Sequence, residues 1–243
     1  SESNMPPKAA PGGPYAAEEG AAVTLDGSGS SDPDAALGDR IVRYAWDLNN
    51  DGVYETPAVP ESNAVVQVSG ATLAAMGLGD GPSEQTVALR VTDSHGATDT
   101  GTTTLTLANV APVVSGLALT AAVSEGDAAV LSGTVADPGA DTFQLFLDWG
   151  DGHSGWIALG TPARDVTYDP VTRAFTVAHT YADDGPSPGN ATIRDLVLAS
   201  GLVKDDDGGA SPLVTGVGAQ VANDDNDSGW GVTQQIQVGD PIG

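Results

Sequence analysis

Tyr44-Ala45-Trp46-Asp47-Leu48-Asn49-Asn50-Asp51-Gly52 is an apolar, aromatic run that ends in an acidic turn. It has a counterpart in Leu145-Phe146-Leu147-Asp148-Trp149-Gly150-Asp151-Gly152. Flanking landmarks recur in the same order. Glu19-Gly20 returns as Glu125-Gly126, Asp32-Pro33 as Asp137-Pro138, and Val91-Thr92-Asp93 as Val203-Lys204-Asp205, at offsets of 106, 105 and 112 residues. Several landmarks at nearly one offset mean a duplicated module. Function is therefore to be sought in a unit that occurs twice.

The chain has 243 residues, enough for two domains of about 100–120 residues with a core each. Apolar residues make up 40%, as in an ordinary globular protein. Lys and Arg number 8 against 33 Asp and Glu, a formal charge of −25. Such a chain repels phosphate backbones and anionic membranes, which argues against nucleic-acid binding. So much carboxylate calls for a cation, and an oxygen ligand set favours Ca2+. With no cysteine, disulfides, thiolate zinc sites and cysteine nucleophiles are excluded. No apolar run reaches the roughly 20 residues of a membrane span. The chain begins at Ser1 without a start methionine, as a processed mature chain or an excised fragment would.

Gly and Pro, 32 and 16 in number, punctuate short segments rich in Val, Thr and Leu. Alternation places Val87, Leu89 and Val91 on one face of residues 86–91. It does the same for Phe143, Leu145, Leu147 and Trp149, and for Val42, Tyr44 and Trp46. Period two in short runs bounded by Gly, Asp and Pro predicts half-buried strands. Helical patterning is confined to one short turn over residues 71–77. The expected fold class is all-β, with two tandem sandwiches. Residues 1–13 read as an extended lead-in, 14–109 as the first sandwich and 110–221 as the second. Residues 222–243 read as an acidic linker and a strand-like tail in which Trp230, Val232, Ile236 and Val238 share a face.

Two motif sets resemble a known family. EGAAVTLDGSGSSDPD, YAWDLNNDGVYE and VALRVTDSHGATDT, in that order, are similar to a PKD (polycystic kidney disease) domain. EGDAAVLSGTVADPGADTFQLFLDWGDG, with HTYADDG and LVKDDDGG, resembles a diverged second copy. The resemblance implies immunoglobulin-like β-sandwiches of about seven strands. It also implies an extracellular spacer or adhesion module of a longer surface protein or secreted enzyme, and it does not imply catalysis. The second copy departs from the pattern: its turn lacks the Asn pair, and Gly139 stands where the first copy has Asp34.

Candidate cation ligands fall into sets. Asp47, Asn49 and Asp51 alternate before Gly52, with Glu55 following. Oxygen ligands at positions 1, 3 and 5 with glycine at 6 let a chain curl round a hard cation. Position 12 is Ala58, so the loop is not an EF-hand; a hydrogen-bonded Asx turn is the alternative. Asp32, Asp34, Asp39 and Asp93 lie in loops that an immunoglobulin-like sandwich can bring to one end, where their mutual repulsion would call for a cation. Solvated acidic loops kept apart are the alternative. The second-copy set is Asp137, Asp148, Asp151, Asp205, Asp206 and Asp207. Asp224, Asp225 and Asp227 read as a calcium-binding linker or a solvated tail. Asn190 and Asn226 head N-x-S/T acceptor triplets.

Catalytic groupings are weak. The carboxylates sit in turns without long loops to build a cleft. His95, His153 and His179 show no zinc or triad spacing. Trp46 and Trp149 read as core, while Trp156 and Trp230 lie outside the buried pattern and could stack on a sugar. The expected function is a non-enzymatic extracellular structural or adhesion module. It would be a calcium-stabilised rod, or a filament subunit whose terminal strand pairs with another copy. The alternative is an accessory module of a secreted hydrolase that binds glycans or other surface proteins.

Overall fold

The computed structural model describes residues 4–55, 62–120, 122–124, 126–150, 152–181 and 194–222. They form two compact units that divide between residues 110 and 111, with residues 138–140 belonging to the first.

In the first unit the strands are β1 (Tyr15–Glu18), β2 (Val23–Asp26), β3 (Ile41–Asp47), β4 (Val65–Val68), β5 (Ser83–Asp93) and β6 (Thr98–Ala108). One sheet has the order β1-β6-β5-β3 and the other is the pair β2-β4. β1 runs parallel to β6, and the remaining pairs are antiparallel. Chain-order neighbours β2 and β3 thus lie in different sheets, as in the Greek key of an immunoglobulin-like sandwich. The α-helix among the described residues, α1 (Gly70–Ala75), is capped by the Ser69 side chain, which accepts from the Thr72 amide.

The alternating residues identified in the sequence supply the core. Val87, Leu89 and Val91 of β5 are fully buried with Trp46, Leu25 and Leu105. Tyr15 packs edge-on against Trp46, with ring centroids 6.3 Å apart. In β3 the alternation breaks. The register with β5 shifts between Ile41 and Arg43, and Val42 is exposed. A bulge turns the side chain outward, so Ile41 and Tyr44, not Val42, reach the core.

The second unit has β7 (Val113–Leu119), β8 (Ala122–Ser124), β9 (Ala128–Ala136), β10 (Gln144–Asp148), β11 (Ser154–Ala158), β12 (Val166–Tyr168), β13 (Ala174–Thr180), β14 (Arg194–Lys204) and β15 (Val214–Ala222). Its sheets have the orders β11-β10-β14-β15-β8 and β12-β13-β9-β7. The same Greek key is present, with one extra strand, β11, at an edge of the first sheet and one at each edge of the second, β12 and β7. Phe143, Leu145, Leu147 and Trp149 are all buried against Phe175, Leu131 and Val203. Both units are immunoglobulin-like β-sandwiches, the fold class the alternation predicts.

The two tryptophans differ in register. Trp46 precedes the acidic residue of its turn and Trp149 follows it, yet both are buried. Asp47 is buried along with its neighbours, whereas Asp148 is partly exposed.

Candidate metal centre

The first unit gathers four predicted carboxylates. Asp32, Asp34 and Asp39 come from the segment between β2 and β3, which contains a 3-10 turn over Ala35–Leu37. Asp93 ends β5. Asp32, Asp34 and Asp39 each offer an oxygen within 4.8 Å of the others, and oxygens of Asp39 and Asp93 lie as close to each other and to a ring nitrogen of His95. Asp34, Asp39 and Asp93 are buried, at 6%, 5% and 1% exposure.

Each carboxylate is held by local donors. Asp93 Oδ1 accepts from the amides of His95 (2.9 Å) and Ala97 (2.8 Å), closing the β5–β6 turn at Gly96 (φ 89°). Asp32 Oδ1 accepts from the Asp34 amide at 2.8 Å, an Asx turn. Asp39 Oδ1 accepts from the amides of Arg40 and Ser94 and from the Ser94 hydroxyl. Asp39 Oδ2 lies 2.8 Å from His95 Nδ1. Asp32 Oδ2 is buried and accepts no hydrogen bond from a described residue.

The lead-in completes the cluster. Asn4 Nδ2 donates to Asp93 Oδ2 at 3.0 Å, and the Met5 amide donates to Asp34 Oδ2 at 2.6 Å. Lys8 bridges to Ser31, and the Ala9 amide donates to Asp99 Oδ2 at 2.7 Å. The described part of the expected lead-in is therefore docked on the first sandwich. Its sequence, rich in Pro, Ala and Gly, carries no pattern that marks the docking.

These contacts set the ionisation of the cluster. The Ser94 hydroxyl, ahead of the His95 ring and the Arg40 and Ser94 amides, holds Asp39 down to about 2 against its burial. Burial pushes Asp93 up, but hydrogen bonds from Asn4, Ala97 and His95 outweigh it and leave the pKa lowered. The Asp39 carboxylate raises His95. All these shifts favour the charged forms, so Asp39 and Asp93 are held as carboxylates beside His95. Carboxylate oxygens within 4.8 Å of one another and a buried oxygen with no donor among the described residues fit a hard dication.

The Asp47 loop is a second grouping. Asp47, Asp51 and Glu55 offer oxygens within 4.8 Å of one another. Asp47 Oδ1 accepts from the Asp51 amide (3.1 Å) and Oδ2 from the Gly52 amide (2.8 Å). Asn49 donates to Asp51 Oδ2 at 3.0 Å, and the Val53 amide donates to Asp51 Oδ1 at 2.7 Å. Glu55 Oε2 accepts from the Leu48 amide at 2.9 Å, while burial raises its pKa. Most of the alternating oxygens thus fold the turn itself, which is the Asx-turn alternative.

In the second unit Asp137 meets a resident cation. Arg173 Nη1 donates to the Asp137 carbonyl at 2.6 Å and lies 3.9 Å from its carboxylate. The same guanidinium sits 5.2 Å from the centre of the Phe143 ring. Asp141, absent from the predicted set, offers an oxygen within 4.8 Å of one from Asp137 and of one from Asp207. Asp205 Oδ1 accepts from the Gly209 amide at 2.6 Å, repeating the Asp93–Ala97 bond. Asp206 accepts from the Thr142 amide at 2.9 Å, which lowers its pKa. Asp148 accepts from the Gly150 amide at 3.0 Å and stands apart. Asp151, Asp224, Asp225, Asp227, Asn190, Asn226 and the tail strand 230–238 lie outside the described residues.

Other described residues of interest lie outside the predicted cation-ligand sets. Glu19 is buried at 3% exposure, and its carboxylate accepts from the amides of Gly81 (3.0 Å) and Val110 (2.8 Å). It anchors two segments distant in sequence. His153 and His179, which show no ligand spacing in the sequence, meet with ring centroids 5.5 Å apart. Trp156 lies on β11, half exposed, beside its cross-strand partner Phe146 (5.3 Å) and 4.4 Å from Lys204 Nζ. Among the described residues no helix is long and apolar enough to cross a membrane.

No family model and no curated protein matches the chain. Solved structures resemble it in fold. The PKD domain of an M14-like peptidase from a Thermoplasmatales archaeon is 19% identical, with a TM-score of 0.33 over 48% of this chain and 98% of that one. Titin domains Z1Z2, solved in complex with telethonin, are 15% identical at a TM-score of 0.37, over 91% and 98% of the two chains. A carbohydrate-binding module of the β-sandwich superfamily is 17% identical at 0.35, over 90% and 99%.

Proposed function

We propose that this chain is a non-enzymatic structural and adhesion module that works outside the cell, its first sandwich stabilised by calcium. The observation that carries the reading is the gathering of buried Asp34, Asp39 and Asp93 with Asp32, whose Oδ2 accepts from no described residue. Calcium would be held by Asp32, Asp34, Asp39 and Asp93, where it would neutralise the cluster and tie the β2–β3 segment to the β5–β6 turn. The test is thermal melting of the full chain with calcium and with chelator. Binding to the folded state alone stabilises by about 2.7 kcal/mol at a hundredfold excess over Kd. A higher midpoint in calcium is expected, lost in Asp34→Asn, which keeps the shape but removes a charge. Coincident wild-type curves would overturn the reading. Self-association by strand addition from residues 230–238 belongs to the same proposal. A chain ending at Ala222 that assembles as the full chain does would refute that part.

A second reading, a glycan-binding accessory module, is favoured by the Trp156–Phe146 pair with Lys204 beside it. An exposed indole on a sheet face offers a stacking surface for a pyranose. Retention on an insoluble polysaccharide, abolished by Trp156→Ala, would place this reading first.

A further inference from the structure

Two of the three histidines of the chain meet in the second sandwich. His153 lies in the turn between β10 and β11, and His179 lies near the end of β13. Both are carried by hydrogen-bonded backbone. The Trp149 amide donates to the His153 carbonyl at 2.9 Å, and His179 is in register with Ala129 of β9. The His179 ring is clamped as well. Trp149 stacks on it at 4.7 Å with the planes 14° apart, and Tyr181 meets it edge-on at 4.9 Å. His153 is exposed and His179 half-buried, so the pair faces solvent.

The spacing suits a shared ion. With bonds of about 2.0–2.1 Å, two imidazoles on one tetrahedral metal have ring centroids about 5.2 Å apart. The observed separation is 5.5 Å. We propose that His153 and His179 form a binding site for a divalent transition-metal ion of the imidazole-preferring class, zinc, copper(II) or nickel, with water completing the coordination. Nitrogen ligands separate this site from the carboxylate cluster of the first sandwich, because hard calcium prefers oxygen. The formal charge of −25 raises the local concentration of any dication. The proposal is independent of the calcium reading, since it concerns a different unit and a different ligand chemistry.

The test uses the full chain with excess calcium chloride, which occupies carboxylate sites. Zinc chloride is titrated by calorimetry into wild type and His153→Gln. His153 is exposed, so the variant keeps the fold, which far-UV circular dichroism checks. One zinc per chain in wild type is expected, with affinity falling at least about tenfold in the variant. Copper(II) should quench the indole stacked on His179, and Trp149→Phe should remove that quenched component while zinc still binds. Superimposable zinc isotherms for wild type and His153→Gln would overturn the proposal, as would copper quenching that persists unchanged in His153→Gln.

Discussion

His95 Nδ1 lies 2.8 Å from Asp39 Oδ2, so an exposed imidazole caps a carboxylate that is almost wholly buried. Asp39 raises the His95 pKa, and the Ser94 hydroxyl, ahead of His95, holds Asp39 down to about 2. The two groups act with opposite signs. The stabilisation from His95 is full below its unfolded pKa of about 6.5 and is lost as pH rises through the raised folded value. The stabilisation from Asp39 is present above about 3.9 and is lost as pH falls from there toward 2. Chelator-treated protein should therefore resist urea better at about pH 5 than at about pH 8, and His95→Gln should shrink that difference. An unchanged difference in the variant contradicts this account.

Asp47→Ala should cost about 2–4 kcal/mol, because the amides of Asp51 and Gly52 lose a charged acceptor beside the core. The loss should be the same in calcium and in chelator if the carboxylate serves the turn alone. Urea unfolding in both buffers measures it, and a loss seen only in calcium would transfer Asp47 to the ligands.

Arg173→Met should destabilise the second sandwich by about 2–3 kcal/mol, since the Asp137 carboxylate is fully buried beside that guanidinium. Adding Asp137→Asn should recover part of the loss, because the uncompensated charge disappears with it. A double-mutant cycle by urea unfolding reports the coupling, and strictly additive losses would deny that Arg173 neutralises Asp137.

Gly70→Ala should lower stability by more than about 2 kcal/mol although alanine favours helices. A Cβ at Gly70 would clash with the Gly20 carbonyl oxygen, which is backbone and cannot swing aside. Gly77→Ala is the contrast: a Cβ there meets nothing within 4 Å, and only the positive φ of 77° opposes it. Thermal melting of both variants should rank Gly70→Ala as the more damaged.

Much of the fold was written locally. Val87, Leu89, Val91, Phe143, Leu145 and Leu147 alternate because one face of each strand is buried, and that period survives in the sequence. Where a strand bulges the period breaks, and Val42 was placed on the wrong face for that reason. Asp32, Asp34, Asp39 and Asp93 were legible as a group because sandwich topology returns the loop before β3 and the end of β5 to one place. The Asn4 and Met5 donors, the Arg173 guanidinium beside Asp137 and the His153–His179 pair had no comparable signal. Each joins segments that share no spacing, so only the folded chain brings them within reach.

The sequence by itself determined the duplication, the all-β class and the excess of carboxylate over counter-ion, because periodicity, landmark order and charge are properties of the chain. Tertiary structure alone decided which carboxylates keep company and what neutralises them. It folded Asp47 into its own turn, set Arg173 against Asp137 and gathered Asp32, Asp34, Asp39 and Asp93 with the His95 ring in contact with Asp39. The physical reason is that interaction between charges depends on separation and burial, and neither is set until the sheets have packed.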